Sequence, residues 1–439
     1  MSIKMRESET RTADSSTDLQ HAEFGESPSA LGDHMCDDTA DPRKLVVVPN
    51  TKTLIKESPG FHKKDLSDYK LDLLALCEFG CRYCSSNTGN YLRIYRSKFA
   101  KLTEEQLGER VLPSEDPALM FVYTDVLGQL RRELDEHGPT WGSGRTLMFS
   151  MLTDGFSPYL VEQGITRAAL ELIMAKTKFR VRILTKNAVV GTGDWIEFLL
   201  KHKDRFVVGL STGSTNDDWA RAVEVGTSAP TERLRALRNL QDAGVPTYGM
   251  ACPVFPDVLA AGNLDALVDQ IRPEKVETFW AEPYNDRLNW ERVRSGYAPE
   301  SSGYEWFTRV FGTGDKAAWS RYATDLYVRL VLRAEAEGWT SKLKYLLYES
   351  GITQNDARYY CSTKGLMLQS PSDEKGFSKN PHVREVQKMI HGPNAWDRLM
   401  SDYSVLDDEK NKKSLADEVH PEERPAKLSS GSGAKRPPG

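Results

Sequence analysis

The sequence predicts an α/β protein built on a partial (β/α) barrel, and three observations lead there. Short apolar runs alternate with amphipathic runs through the middle of the chain. That alternation is the signature of parallel strands joined by crossover helices. Polar residues able to bind or react stand at the ends of several apolar runs. Three of the six cysteines crowd into eight residues just after the first run, the end of a barrel strand where chemistry gathers.

The elements follow in order. Strands are predicted at 71–76, 147–152, 180–185, 206–211, 247–253 and 276–282, each a short, mostly apolar, strand-like run. Helices are predicted between them at 117–137, 158–176, 194–202, 230–243 and 263–271. The 230–243 helix shows the expected asymmetry, with Pro230 in its first turn and Gly244 just past its end. Six such units make a partial (β/α)6 barrel, and the same alternation also permits a doubly wound sheet. Beyond them come a helix at 316–338, whose Trp319, Tyr322, Leu326, Leu330 and Leu332 suit core packing, and an apolar run at 343–348. The domain reading is an acidic disordered tail at 1–43, the barrel at 44–292, an α-rich C-terminal extension at 293–403, and a second disordered tail at 404–439. Both tails lack apolar periodicity and are rich in charged or small polar residues.

Composition narrows the function. The formal charge is −5, from 58 Lys and Arg against 63 Asp and Glu, and the acidic N-terminal stretch carries much of it. Such a balance does not point to a nucleic-acid binder, although a local basic groove is compatible with it. The Lys and Arg residues between 176 and 186 read as a solvated strand face and helix end. No run is long and apolar enough for a membrane span, and no apolar leader opens the chain. With few cysteines, these features predict a reducing, cytoplasmic setting.

The cysteine run is Cys77-Glu78-Phe79-Gly80-Cys81-Arg82-Tyr83-Cys84, a C-x3-C-x2-C pattern. Three thiolates at this spacing reach three corners of a cube-shaped iron–sulfur cluster and leave the fourth iron open to a small molecule. Zinc is the other soft-metal reading, but a closed zinc site wants a fourth ligand, and only Cys252 or Cys361 would supply one through the fold.

The pattern C-x3-C-x-aromatic-C resembles the cluster motif of radical S-adenosylmethionine (SAM) enzymes. The resemblance extends to the spore photoproduct lyase-like group over roughly residues 66–260. Ser67-Asp68-Tyr69-Lys70-Leu71 resembles that group's approach to the first strand. Thr153-Asp154 with Pro158, Tyr159 and Glu162 resembles its Thr-Asp…Glu segment. Leu184-Thr185-Lys186 resembles its Thr-Lys strand end. Ala222 to Gly226 with Glu232-Arg233-Leu234 resembles a Glu-Pro…Arg-Leu block, with Val225 in place of the proline. Ala243 to Pro253, with Pro256 and Asp257, resembles the next strand and its exit.

This likeness implies a radical SAM barrel with a 4Fe-4S cluster on Cys77, Cys81 and Cys84. It also implies SAM contacts from Tyr83, Thr153, Asp154, Lys186 and Ser211, and a flavodoxin- or ferredoxin-like electron donor. For each contact a plain structural role stands beside the functional one. Thr153 and Asp154 would serve equally as caps near Pro158, and Glu224 with Arg233 as a structural ion pair. The photoproduct lyases carry a hydrogen-donor cysteine three residues before the second-strand aspartate, where this chain has Met151. Photoproduct repair is therefore not expected, and the substrate stays open among DNA, RNA, peptide and small molecule. Cys252 is the candidate catalytic thiol, against the commoner role of a buried cysteine as a small hydrophobe. Rival readings are a non-catalytic iron–sulfur or zinc protein and a serine hydrolase. The hydrolase would use Gly209-Leu210-Ser211-Thr212-Gly213 as a nucleophile elbow, with Asp286 and His391 as partners.

Overall fold

The computed structural model describes residues 43–49, 53–113, 115, 116, 118–259, 263–360, 365–368 and 380–384. The two expected tails, apart from Arg43, lie outside these residues, as do Cys36, Cys361 and His391.

Eight parallel strands form the main wall among the described residues. They are β3 (Tyr69–Leu71), β6 (Thr146–Phe149), β7 (Arg180–Thr185), β8 (Phe206–Leu210), β9 (Gly249–Val254), β10 (Phe279–Pro283), β11 (Leu343–Leu347) and β12 (Leu366–Leu368). Backbone ladders join β3 through β8 and β9 through β12, and single bridges at Val208–Thr247 and Ser211–Met250 stitch β8 to β9. A short strand, β2 (Ile55–Glu57), runs antiparallel along β3. Among the described residues no ladder joins β12 to β2, and over those residues the wall is an open barrel. Six strands were expected, and β3 to β10 supply them. The sheet does not stop at residue 292: β11 and β12 continue it in register.

A small second sheet orders β1 (Lys44–Val48), β5 (Leu119–Tyr123) and β4 (Leu74–Leu76). The Asn90–Leu107 helix packs on it, burying Leu92, Phe99 and Ala100 against Val46, Val48, Leu76 and Phe121. Two sequence expectations change here. The expected helix at 117–137 is a strand, β5, followed by a helix at Val126–His137 whose N-terminus is capped by Asp125. A five-residue apolar run carries no helical period, so its burial on both sides decides the outcome. The expected 158–176 helix is broken at Gly164, which sits at φ 69°, a conformation that glycine adopts without strain.

The barrel interior follows the two-residue period of strands. Met148, Val207, Tyr248, Met250, Trp280 and Leu346 point inward and close around Leu66. Leu66 belongs to the segment before β3, which inserts into the barrel as a plug. Its backbone is held there by Trp280 Nε1 donating to the Lys64 carbonyl at 3.4 Å and Arg182 Nη1 donating to the Asp65 carbonyl at 3.3 Å. The reading of 176–186 as a solvated face therefore fails at Arg182. That side chain is buried in the interior, 4.6 Å from the Trp280 ring centre and 5.2 Å from that of Tyr248. Among the described residues no helix is long and apolar enough to cross a membrane.

Candidate active site

Above the plug the same period brings chemistry to the cavity. Two residues past Leu184, Met250, Trp280 and Leu346 stand Lys186, Cys252, Glu282 and Tyr348. All four line one cavity of about 470 Å³, together with Cys77, Cys81 and Cys84. That volume suits a cofactor- or substrate-sized ligand.

The cysteine loop leaves β4 and is fastened on several sides. Gly80 takes φ 60° at its turn. Arg82 N donates to the Val223 carbonyl at 2.8 Å, and Gly226 N to the Phe79 carbonyl at 2.9 Å. A side chain at Gly226 would press on the loop backbone at 3.2 Å, so this glycine permits the docking. Asn87 Nδ2 donates to the Cys77 carbonyl at 2.6 Å, and Glu78 accepts from Tyr159 N at 2.7 Å. Cys77 and Cys81 are buried and Cys84 is partly exposed, all three as free thiols. Burial, and then the neighbouring Cys84, pushes the Cys77 thiol up to about 12. Burial likewise holds Cys81 well above the ordinary thiol range. Metal binding here would have to displace protons. Among the described residues no three His, Cys, Asp or Glu side chains form a ready single-ion site.

Tyr83 lines the cavity, with Lys186 Nζ 5.6 Å from its ring centre. Its hydroxyl donates to Glu224, which is also bonded to fully buried Arg233. Arg233 further donates to the Ser211 carbonyl. Burial alone would raise the Glu224 pKa. Arg233, Lys186 and the Tyr83 hydroxyl outweigh it and hold the carboxyl below its usual range. Glu224 and Arg233 thus form the structural pair, and they brace Tyr83.

Thr153 and Asp154 also reach the cavity, already engaged. Asp154 accepts from Phe156 N at 2.9 Å, the Thr185 hydroxyl at 2.8 Å and Lys186 N at 2.8 Å. It ties the exits of β6 and β7 together and caps no helix, since Ser157 holds that position before Pro158. Burial raises its pKa despite these donors. The Thr153 hydroxyl donates to Asp72 at 3.2 Å, and the same Asp72 oxygen accepts from the backbone of Met151, Leu152 and Thr153. Ser211 is not brought to the cavity wall. It is buried, and its hydroxyl donates to the Cys252 carbonyl at 2.7 Å. That bond occupies the would-be nucleophile. Asp286 is spent on the backbone of Asn289 and Trp290.

Sequence reasoning missed Asp72, Glu78, Lys64, Arg287 and Tyr348. Glu282 ended a predicted strand and was open to discovery by its position. Asp72 was legible only as a polar break within an apolar run. Lys64 carried no signal, because the plug has no motif.

The geometry and the comparisons with known proteins meet on the same stretch of chain. Residues 73–258 match the family model of the radical SAM superfamily. This segment is therefore similar to a radical SAM domain, and it holds the cysteine loop and most of the strands that carry the cavity's polar side chains. A curated relative, the uncharacterized protein ORF301 of Acidianus two-tailed virus, is 25% identical over 165 residues, covering 34% of this chain and 53% of that protein. This chain thus spans about half the length of the curated relative it matches. Among solved structures, spore photoproduct lyase complexed with a dinucleoside spore photoproduct is similar at 19% identity and TM-score 0.36, over 58% of this chain and 66% of that one. A mutant of that lyase with bound AdoMet and the same dinucleoside is similar at 18% identity and TM-score 0.36, over the same shares of the two chains.

Proposed function

We propose that this protein is a radical SAM enzyme that holds a 4Fe-4S cluster on Cys77, Cys81 and Cys84 and binds SAM beside it. One observation carries the proposal: the three thiols of a C-x3-C-x2-C loop line a single cavity, and that loop lies in the segment that matches the radical SAM family model. The donor set fits the group. Three soft ligands occupy one loop, and none of its other side chains supplies a fourth thiol. When bound, the cluster and SAM supply a 5′-deoxyadenosyl radical that takes a hydrogen atom from the substrate.

The remaining work falls to the chain's own residues. The loop contacts of Asn87, Glu78 and Gly226 pre-position the thiols, which a rigid supporting shell makes possible. Tyr83 and Lys186 offer SAM a ring face and a cation, and Asp154 and Thr153 offer oxygens at the exit of β6. Ser211 supports this wall from behind through the Cys252 carbonyl. The plug and the apolar interior exclude water from a reactive intermediate. Thymine-photoproduct repair is not the proposed reaction, because Met151 cannot return a hydrogen atom as a thiol does. The electron enters from a flavodoxin- or ferredoxin-like donor.

The test is iron loading. Anaerobically reconstituted full-length protein is expected to take up about four irons per chain with a broad thiolate charge-transfer band. Cys77→Ala, Cys81→Ala or Cys84→Ala each abolishes that band. Stoichiometric zinc with no iron uptake by the wild-type protein would sink the proposal in favour of a zinc protein.

A further inference from the structure

The cavity has a second polar wall that the cofactor reading does not use. It is built by Glu282 at the end of β10, Arg287 just beyond it, Tyr348 past the end of β11, and Lys64 on the plug. The Tyr348 hydroxyl donates to Glu282 and accepts from Arg287 Nη2 at 2.6 Å. The guanidinium carbon lies 4.8 Å from the Tyr348 ring centre. Tyr348 therefore fixes Arg287 in two ways, by a hydrogen bond and by its ring face. Among the described residues neither Arg287 nor Lys64 has a carboxylate within ion-pair distance. Glu282 is close enough to act on Lys64, but it is engaged by Tyr348. Two partly buried cations and one engaged carboxylate share this wall, so it presents an excess of positive charge to the cavity. Such a wall is completed by an anion.

We propose that Arg287 and Lys64 form the subsite that anchors the substrate by an anionic oxygen group, a carboxylate or a phosphate. The inference rests on the radical SAM reading for its statement that the ligand is a substrate. Tyr348 and Glu282 are positioning residues, because they act through Arg287. Burial acts on both signs of charge here, raising the Glu282 pKa and lowering that of Lys64, so each group is held in its charged form more readily by an opposite charge beside it. Cys252 stands on the neighbouring strand, where Glu282 is the strongest charged influence on its thiol after burial. A substrate anchored by Arg287 would lie along Cys252 and reach toward the cysteine loop.

The test is calorimetric titration of the reconstituted full-length protein, saturated with SAM, with inorganic phosphate and separately with acetate at constant ionic strength. One of the two anions is expected to bind at a single site, and which one does so distinguishes a phosphoryl from a carboxylate substrate. Arg287→Gln and Lys64→Gln should each weaken it roughly tenfold or more, the scale of a lost charge-assisted hydrogen bond. Arg287→Lys should recover part of the affinity, and Lys101→Gln, on the outer surface, none of the loss. Circular dichroism confirms that the variants are folded. Binding of neither anion, unchanged binding in both Gln variants, or an anion site filled by SAM itself would overturn the subsite. The two readings fail separately. Missing anion binding in a protein that cleaves SAM removes the subsite alone, whereas an iron-loaded protein that never cleaves SAM removes the radical reading.

Discussion

The cysteine loop and the wall formed by β10 and β11 line the same cavity but draw on the chain in opposite ways. Eight consecutive residues supply the loop's three thiols, and their spacing alone announces the chemistry. The other wall takes Lys64 from before the first barrel strand and Glu282, Arg287 and Tyr348 from its last strands. A cofactor end can be local because its ligands must fit one rigid group. A substrate end is assembled by the tertiary fold, so its residues carry no shared pattern. The second wall depends on the sheet running past residue 292, because Tyr348 follows directly on β11 and holds Arg287.

The largest effect expected on the cofactor side, short of losing a cysteine, comes from the buried Glu224–Arg233 pair. Arg233→Met leaves Glu224 buried without its cation and should cost about 3–5 kcal/mol in urea unfolding. The pH dependence follows from sign. The folded-state pKa of Glu224 is depressed, so its contribution is present above the unfolded value of about 4.3 and is lost as pH falls through the lower folded value. Wild-type protein should therefore keep this contribution to a more acidic pH than Arg233→Met. Superimposable stability curves for the two proteins between neutral and acidic pH would show that the pair braces nothing.

Asp154 sharpens the comparison next, because it serves both fold and site. Asp154→Ala strands the donors of Phe156, Thr185 and Lys186 and should cost about 1–3 kcal/mol, with weaker SAM binding and near-normal iron content. Asp154→Asn keeps one acceptor oxygen but turns its NH2 toward one of these donors, so it should recover only part of the stability lost in the Ala variant. If the Asn variant binds SAM as tightly as wild type, Asp154 is only a tie between β6 and β7.

Cys252 carries the smallest expected effect. It faces the cavity yet packs on the apolar interior. As a packing residue, Cys252→Ala costs about 1 kcal/mol and leaves product distribution unchanged. Unchanged SAM cleavage with diversion of product to adducts would instead make it a hydrogen donor and join the two walls in one reaction.

Much of this architecture was legible. The 180–185 strand and the 263–271 helix have the ends the sequence predicts, because an apolar run with clear punctuation leaves little choice. The role of Asp72, as distinct from the break it makes in an apolar run, was not legible. A single carboxylate interrupts β3 and β4 so that it can hold the Met151–Thr153 backbone, a long-range need invisible to local propensity. Ser211 shows the converse. Its G-x-S-x-G setting was the right sequence for an elbow, yet its hydroxyl is turned into the Cys252 carbonyl. Arg182 was misread for the same reason: an arginine in a strand is ordinarily solvated, and here the ring faces of Tyr248 and Trp280 and the Asp65 carbonyl make an interior place for it.

The central claim is that the cysteine loop and its cavity generate a radical from SAM. Its most direct test is anaerobic incubation of the iron-loaded full-length protein with SAM and dithionite, with the products separated by chromatography. The account predicts 5′-deoxyadenosine and methionine in equal amounts, formed by wild type and absent from Cys81→Ala. Intact SAM beside a fully loaded, reducible cluster would contradict it.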